Sequence, residues 1–142
     1  IYRVNVIGAF QMSRALASLM KGRSPAGIVN ISSMAGRMGA GSSIAYAASK
    51  GALNTLTLSL ARALSPAIRV NAILPGMVDS DWMHKGLGTE VFEQRRQRYA
   101  SRALLNAVLD PADVARTVHW LAVDATKTTG QLIDMDAGFI LG

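Results

Sequence analysis

The apolar residues of this chain switch repeatedly between a helical period of about 3.6 and short strand-like runs, and that alternation limits the architectures open to it. Residues 2–21 read as a helix, with Met12, Leu16, Leu19 and Met20 at helical spacing. Gly22–Gly27, with Ser24 and Pro25, is a turn. Gly27–Ser32 (GIVNIS) is a short strand, and Ser33–Ser43 is a loop rich in Gly and Ser. Ala45–Leu64 is a long helix, Pro66 follows its end, and Ile68–Leu74 (IRVNAIL) is a second strand that Pro75-Gly76 breaks. Residues 77–109 are irregular apart from a short helix over Thr89–Ala103.

Asp110-Pro111-Ala112-Asp113 opens another helix. Asp110 can cap it, Pro111 suits its first position, and Asp113 favours its positive end. Val114, Val118 and Leu121 form its buried stripe, and Gln131–Asp136 (QLIDMD) is a last strand. Strands alternating with crossover helices imply a parallel sheet with helices on both faces. No repeat or interdomain linker divides the chain, so residues 1–142 are one unit. Three strands leave a narrow sheet with a bare edge, so the chain reads as α/β, the C-terminal portion of a larger doubly wound parallel sheet.

Composition excludes several functions. Half of the residues are hydrophobic and 17% are charged, which argues against disorder. No apolar run reaches the roughly 20 residues of a membrane span. No basic-then-apolar leader opens the sequence at Ile1, so no secretory signal, no membrane partner and a cytoplasmic location are expected. Zero cysteines exclude disulfides and thiolate chemistry, and no metal site is expected. Much of the +6 charge sits in Arg95, Arg96, Arg98 and Arg102. These arginines suit an anionic partner such as a nucleic acid or an acyl-carrier protein, or they form a solvated face paired with Glu90 and Glu93. Interleaved aromatics are lacking, so no nucleic acid is expected.

The chemistry centres on Tyr46-Ala47-Ala48-Ser49-Lys50. Residues four apart share a helix face, so Tyr46 and Lys50 point the same way. A phenol is a poor acid or base at neutral pH, and a nearby ammonium favours the phenolate. A tyrosine tuned in this way can give or take a proton at a carbonyl oxygen. The first strand ends in Ile31-Ser32-Ser33, and Tyr46 follows Ser33 by thirteen residues. A hydroxyl at the C-terminal edge of a parallel strand sits where open α/β sheets bind ligands, although Ser is also an ordinary turn residue. The second strand ends at the same edge with Pro75-Gly76, where a glycine lets a ligand approach the backbone.

Taken together, these segments resemble the short-chain dehydrogenase/reductase family. The matching pieces are Val4-Asn5-Val6-Ile7-Gly8, Ile28–Gly36, Tyr46–Lys50, Ile68–Gly76, and Thr129-Gly130-Gln131 leading to Asp136-Ala137-Gly138. The resemblance implies a Rossmann-like fold and an NAD(P)-dependent oxidoreductase that interconverts a carbonyl and a secondary alcohol by hydride transfer. It makes Tyr46 the general acid/base. Lys50 lowers the tyrosine pKa and binds the nicotinamide ribose. Ser33, preferred to Ser32, polarises the substrate oxygen, and Asn5 holds a water in a proton relay to the lysine. Pro75, Gly76, Val78 and Ser80 resemble the segment bordering the nicotinamide, with Ser80 where the family often has Thr. Residues about 80–108 match a variable substrate lid, here carrying Trp82, Met83, Leu87, Val91, Phe92 and Tyr99. That lid is either an apolar substrate wall or a segment packing on its own core.

The family's Gly-rich turn and Asn-Asn-Ala-Gly element have no counterpart, so the N-terminal cofactor-binding half is absent from this chain. The choice between NAD and NADP lies in that half. Members resembling 3-oxoacyl-carrier-protein reductases share the tyrosine helix and the Pro-Gly strand, but the same motifs serve sugar, steroid and polyol substrates. One rival is an epimerase or dehydratase of the extended branch. Another is a catalytically inactive fragment or scaffold of the same fold.

A homo-oligomer, dimer or tetramer, is also expected. The long helix has Leu53, Leu56, Leu60 and Leu64 along one stripe, with Leu58, Ala52, Ala61 and Ala63 widening its apolar surface. In the first helix, Phe10 and Ala17 lie beyond the stripe. Helices apolar on more than one side must be covered on more than one side, and the family pairs these two helices across a two-fold axis. The apolar ending Gly138–Gly142 would suit a second two-fold contact.

Overall fold

The computed structural model describes residues 1–142. Its order is a π-helical turn (Arg3–Gly8), α1 (Ala9–Met20), β1 (Gly27–Ile31), α2 (Ala35–Met38), α3 (Ile44–Leu64), β2 (Arg69–Pro75), α4 (Asp81–Leu87), α5 (Thr89–Ala100), α6 (Pro111–His119), a second π-helical turn (Trp120–Asp124), β3 (Leu132–Met135) and a final 3-10 turn (Phe139–Leu141). The three strands pair in parallel in the order β1-β2-β3, as the alternation of periods requires. Register sets Ile28 opposite Val70 and Ile73 opposite Ile133. The central strand β2 is buried from Val70 to Pro75, which is why its sequence is a nearly continuous apolar run.

Helices cover both faces of the sheet. On one side Ala17, Leu60, Ala61, Ile68 and Val70 form a core, with Met20, Ile28, Leu56 and Leu64 packed against it. On the other, Ile73, Leu121 and Ala125 gather Val29, Val114, Val118 and Ile133. The expected stripe of α6 is therefore the one that faces the sheet. Its start is a capping box: the Asp110 carboxylate accepts from the Ala112 amide at 2.7 Å, and that of Asp113 accepts from the Asp110 amide at 2.9 Å.

The structure corrects two sequence expectations. In α1 the buried positions are Ser13 and Ala17, while Met12, Leu16 and Leu19 are exposed. Small residues allow α1 to lie close, so its larger side chains point outward. The segment after β2 is also more regular than expected, with α4 preceding α5. No helix is long and apolar enough to cross a membrane.

Polar groups fix the sheet from inside. Asn71, with no solvent exposure, donates to the Thr128 carbonyl at 2.9 Å and accepts from the Gln131 amide at 3.0 Å, which aligns the start of β3. The Arg69 guanidinium donates to the carbonyls of Leu121, Ala122 and Ala125, closing the turn after α6.

Candidate functional site

β1 and β2 both run out at their C-terminal ends beneath α2, α3 and the segment after Pro75. Ser32 and Ser33 follow β1, and only one of them is free to face outward. Ser32 is buried, and its hydroxyl lies 2.6 Å from Asn54 Oδ1 and 3.2 Å from the Lys50 carbonyl. Ser33 is half-buried and accepts the Ala35 amide at 3.1 Å, so its own hydroxyl proton has no partner. Both serines thus do turn or packing work, but Ser33 alone of the two lines a cavity.

That cavity is about 750 Å³, and Asn5, Ser33, Tyr46, Gly76, Trp82 and Tyr99 are among its walls. Most of its lining is apolar, including Met34, Met38, Met77 and Met83. A few polar groups in an apolar concavity at the C-terminal edge of a parallel sheet form the usual setting for a small-molecule site. Ser33 and Tyr46 face this same space, with no direct hydrogen bond between their hydroxyls.

Helix α3 positions Tyr46 and Lys50. Ser43 caps it, its side chain accepting the Tyr46 amide at 3.1 Å, so Tyr46 sits in the first turn. One turn on, Lys50 Nζ donates to the Ile31 carbonyl at 2.8 Å and lies 5.6 Å from the centre of the Tyr46 ring. Burial pushes the Lys50 ammonium below its ordinary value of 10.5. The rotation of α3 about its axis is set by buried polar contacts: Asn30 donates to Thr57 at 2.9 Å, and Ser32 bonds Asn54.

Asn5 lies in the first π-helical turn, a geometry that recurs at functional sites. Its amide donates to Ser49 Oγ at 3.0 Å, and Ser49 donates to the Tyr46 carbonyl at 2.7 Å. Asn5 is thereby tied to the tyrosine helix through Ser49, and it borders the cavity as well.

The segment Pro75, Gly76, Val78 and Ser80 leaves the sheet beside these groups. Pro75 is buried, Val78 bridges to Leu109, and Ser80 precedes α4 with its carbonyl accepting from Met83 and His84. Neither Val78 nor Ser80 is part of the cavity wall, whereas Gly76 is. What approaches Gly76 is a side chain of this chain: a Cβ there would lie 1.9 Å from the Tyr99 hydroxyl. Tyr99 donates to the Asp136 carbonyl at 2.8 Å and stacks on Phe139 at 4.2 Å. Sequence reasoning placed Tyr99 in the lid but missed this anchorage, since its partners lie 23 to 40 positions away in the chain.

Residues 80–108 divide between the cavity wall and the interior. Trp82, Met83 and Tyr99 line the cavity, while Phe92 is fully buried against His84. Among the basic residues of α5, Arg96 pairs with Glu93 at 2.6 Å.

Comparison with known proteins adds to this geometry. A family model described as enoyl-(acyl carrier protein) reductase matches residues 1–140. The chain is 39% identical over 131 residues to the short-chain dehydrogenase/reductase homolog YusR of Bacillus subtilis, covering 92% of this chain and 96% of that one. It is 32% identical over 143 residues to the 3-oxoacyl-[acyl-carrier-protein] reductase FabG of Thermotoga maritima, covering 99% of this chain but 56% of the relative. A crystal structure of a small-chain dehydrogenase in complex with NADPH superposes with a TM-score of 0.87 at 28% identity, over 97% of this chain and 61% of the other. The chain therefore spans little more than half of these last two relatives, and the sheet described above is the C-terminal part of theirs.

Proposed function

The chain belongs to the short-chain dehydrogenase/reductase family, and from that premise we propose that it forms the catalytic and substrate-binding part of an NAD(P)-dependent oxidoreductase acting on a carbonyl or secondary alcohol. The observation that carries this reading is the meeting of Ser33 and Tyr46 on one apolar-walled cavity, with the Lys50 ammonium beside the Tyr46 ring. Its relatives are oxidoreductases, and one was crystallised with NADPH.

The residues present fit the nicotinamide end of such a cofactor. Lys50 uses one ammonium donor on Ile31 and keeps the others for a ribose hydroxyl, and of the segment Pro75, Gly76, Val78 and Ser80 it is Gly76 that lines the cavity. When bound, the nicotinamide supplies or accepts the hydride.

The chain's own groups handle the proton. Tyr46 gives its hydroxyl proton to the carbonyl oxygen in reduction, or removes one from the alcohol in oxidation. Ser33 donates its unpartnered hydroxyl proton to the same oxygen and holds it in place. The Lys50 ammonium stands beside the Tyr46 ring, 5.6 Å from its centre. Asn5 and Ser49 steady the first turn of α3.

We assign the protein to the cytoplasm and to a homo-oligomer. Met12, Leu16 and Leu19 leave an apolar face on α1 that a copy would cover.

The test is Tyr46→Phe, which removes the proton donor and keeps the ring. In an assay with NADH and NADPH over a panel of ketones and secondary alcohols, turnover is expected to fall about 10²–10⁴-fold with an unchanged circular dichroism spectrum. Turnover equal to the parent would overturn the assignment.

A further inference from the structure

Beside the cavity that holds Tyr46 lies a second hollow of about 240 Å³. Four residues border both: Met77, Tyr99, Arg102 and Phe139. The second hollow adds Arg95 and Arg98. Positions 95, 98 and 102 follow each other at spacings of three and four, so the helical path of α5 and its extension gathers three guanidinium groups on one side.

All three are exposed, but unlike Arg96 they are not neutralised by a carboxylate. Arg96, which lines neither hollow, is the arginine that Glu93 neutralises. Arg95, Arg98 and Arg102 form no ion pair, and neither hollow has an Asp or Glu in its wall. Arg102 is also held in place: its guanidinium lies 4.5 Å from the centre of the Phe139 ring, which is itself stacked on Tyr99. An arginine stacked in the wall of the cavity that also holds Tyr46, with two uncompensated neighbours in the adjoining hollow, defines what the cavity would accept.

We propose that Arg95, Arg98 and Arg102 form a site for an anionic group on the substrate, so that the protein acts on a ketone or alcohol with an apolar body and a phosphate or carboxylate distant from the reacting carbon. This rests on the functional reading above for the meaning of "substrate", but the binding claim stands on the two hollows that share Met77, Tyr99, Arg102 and Phe139. Guanidinium groups bind phosphate and carboxylate oxygens through charge-assisted, paired hydrogen bonds. The apolar wall from Met34 to Met83 would take the body of the molecule.

Two pairs of probes separate the sources of the charge. One pair is the 3-oxobutanoyl thioester of 4′-phosphopantetheine and the same thioester of pantetheine, which differ by one phosphate. The other is 6-oxoheptanoate and its methyl ester. Binding is followed by quenching of Trp82, a wall residue, in a Trp120→Phe background, and by titration calorimetry. The charged member of at least one pair is expected to bind about tenfold more tightly than its neutral partner, and the gap should narrow with salt. Arg95→Gln/Arg98→Gln/Arg102→Gln is expected to abolish the gap while leaving the neutral partner's affinity within about twofold. The corresponding triple Lys variant should restore part of it, and Arg96→Gln should leave it intact.

Equal affinity of charged and neutral partners in both pairs, or no saturable binding of any probe, overturns the proposal. So does an affinity gap that survives the triple Gln variant. Loss of the gap without any turnover in the parent protein would uphold the anion site and count against the oxidoreductase reading. Turnover that disappears in Tyr46→Phe, with no affinity gap, would do the reverse.

Discussion

On one face of the sheet, α3 buries Ser49, Asn54 and Thr57, each hydrogen-bonded, while its neighbour α1 leaves Phe10, Met12, Leu16 and Leu19 exposed. Buried apolar side chains tolerate small rotations of a helix, whereas a buried hydroxyl or amide loses its partner if the helix turns. The polar contacts of α3 therefore fix its rotation, and with it the direction of Tyr46 and Lys50. α1 contributes mainly the small residues Ser13 and Ala17 to the interior, and its larger side chains are left for another surface. Position is specified where chemistry depends on it.

The strongest way to break this comparison is to move α3 bodily. Gly36 in α2 lies so close that a Cβ there would sit 2.5 Å from the Lys50 carbonyl carbon and 2.6 Å from the Gly51 nitrogen. Both neighbours are backbone and cannot swing aside. Gly36→Ala is expected to cost about 3 kcal/mol in urea unfolding, near the upper end of overpacking costs. A near-neutral result would mean that α2 slides freely over α3.

A smaller effect is expected inside the polar contact itself. Thr57→Val removes the acceptor of the Asn30 amide and leaves that donor buried, at a cost of about 1–3 kcal/mol. Replacing both, as Asn30→Leu/Thr57→Val, should recover much of the loss while lowering the sharpness of the unfolding transition. If the single and double variants were equally unstable, packing rather than hydrogen bonding would hold α3.

On α1 the expected sign is different. Leu16→Gln/Leu19→Gln should change the unfolding free energy of the chain by no more than about 0.5 kcal/mol, as exposed positions do. If a second copy covers this face, light scattering should show the oligomer dissociating. A large loss of stability with no change in mass would show that the face is covered within one chain.

How much of this was legible in the sequence follows from the range of the interactions. The three strands, the limits of α3 and the cap of α6 are local in origin, set by period, Pro and Asp, and they stand where the sequence put them. α2 was read as loop because four residues carry no period, and its helix depends on packing against α3. The stripe of α1 was misread because hydropathy favours Leu and Met, while close approach favoured Ser13 and Ala17. At the candidate site, helical spacing puts Tyr46 and Lys50 on one face, and the preference for Ser33 over Ser32 comes from the family resemblance; Ser33 lines the cavity with Tyr46. Burial of Ser32 against Asn54 could not be seen without the fold. Nor could the encounter of Gly76 with Tyr99, or the clamp of Arg69 on carbonyls about fifty residues distant.

The smallest expected effect concerns Tyr99, the lid's counterpart to the buried hydroxyls of α3. Burial pushes its phenol up from 10.0 to about 12, the charge of Asp136 adds to the rise, and the Met77 backbone opposes it. The fold therefore favours the neutral phenol, whose proton is the one donated to the Asp136 carbonyl. A raised acid pKa gives stability that is fully present below the unfolded value near 10 and is lost as pH climbs towards 12. The parent protein should thus lose stability relative to Tyr99→Phe between those limits, and show no such trend from neutrality to pH 9. In a difference titration of phenolate absorbance, parent minus Tyr99→Phe, the rise should be centred near 12 rather than 10. A centre near 10 would mean that Tyr99 is open to water and that the lid is not latched to the sheet edge through its hydroxyl. The wall between the two hollows would then be movable, and their separation would depend on what is bound.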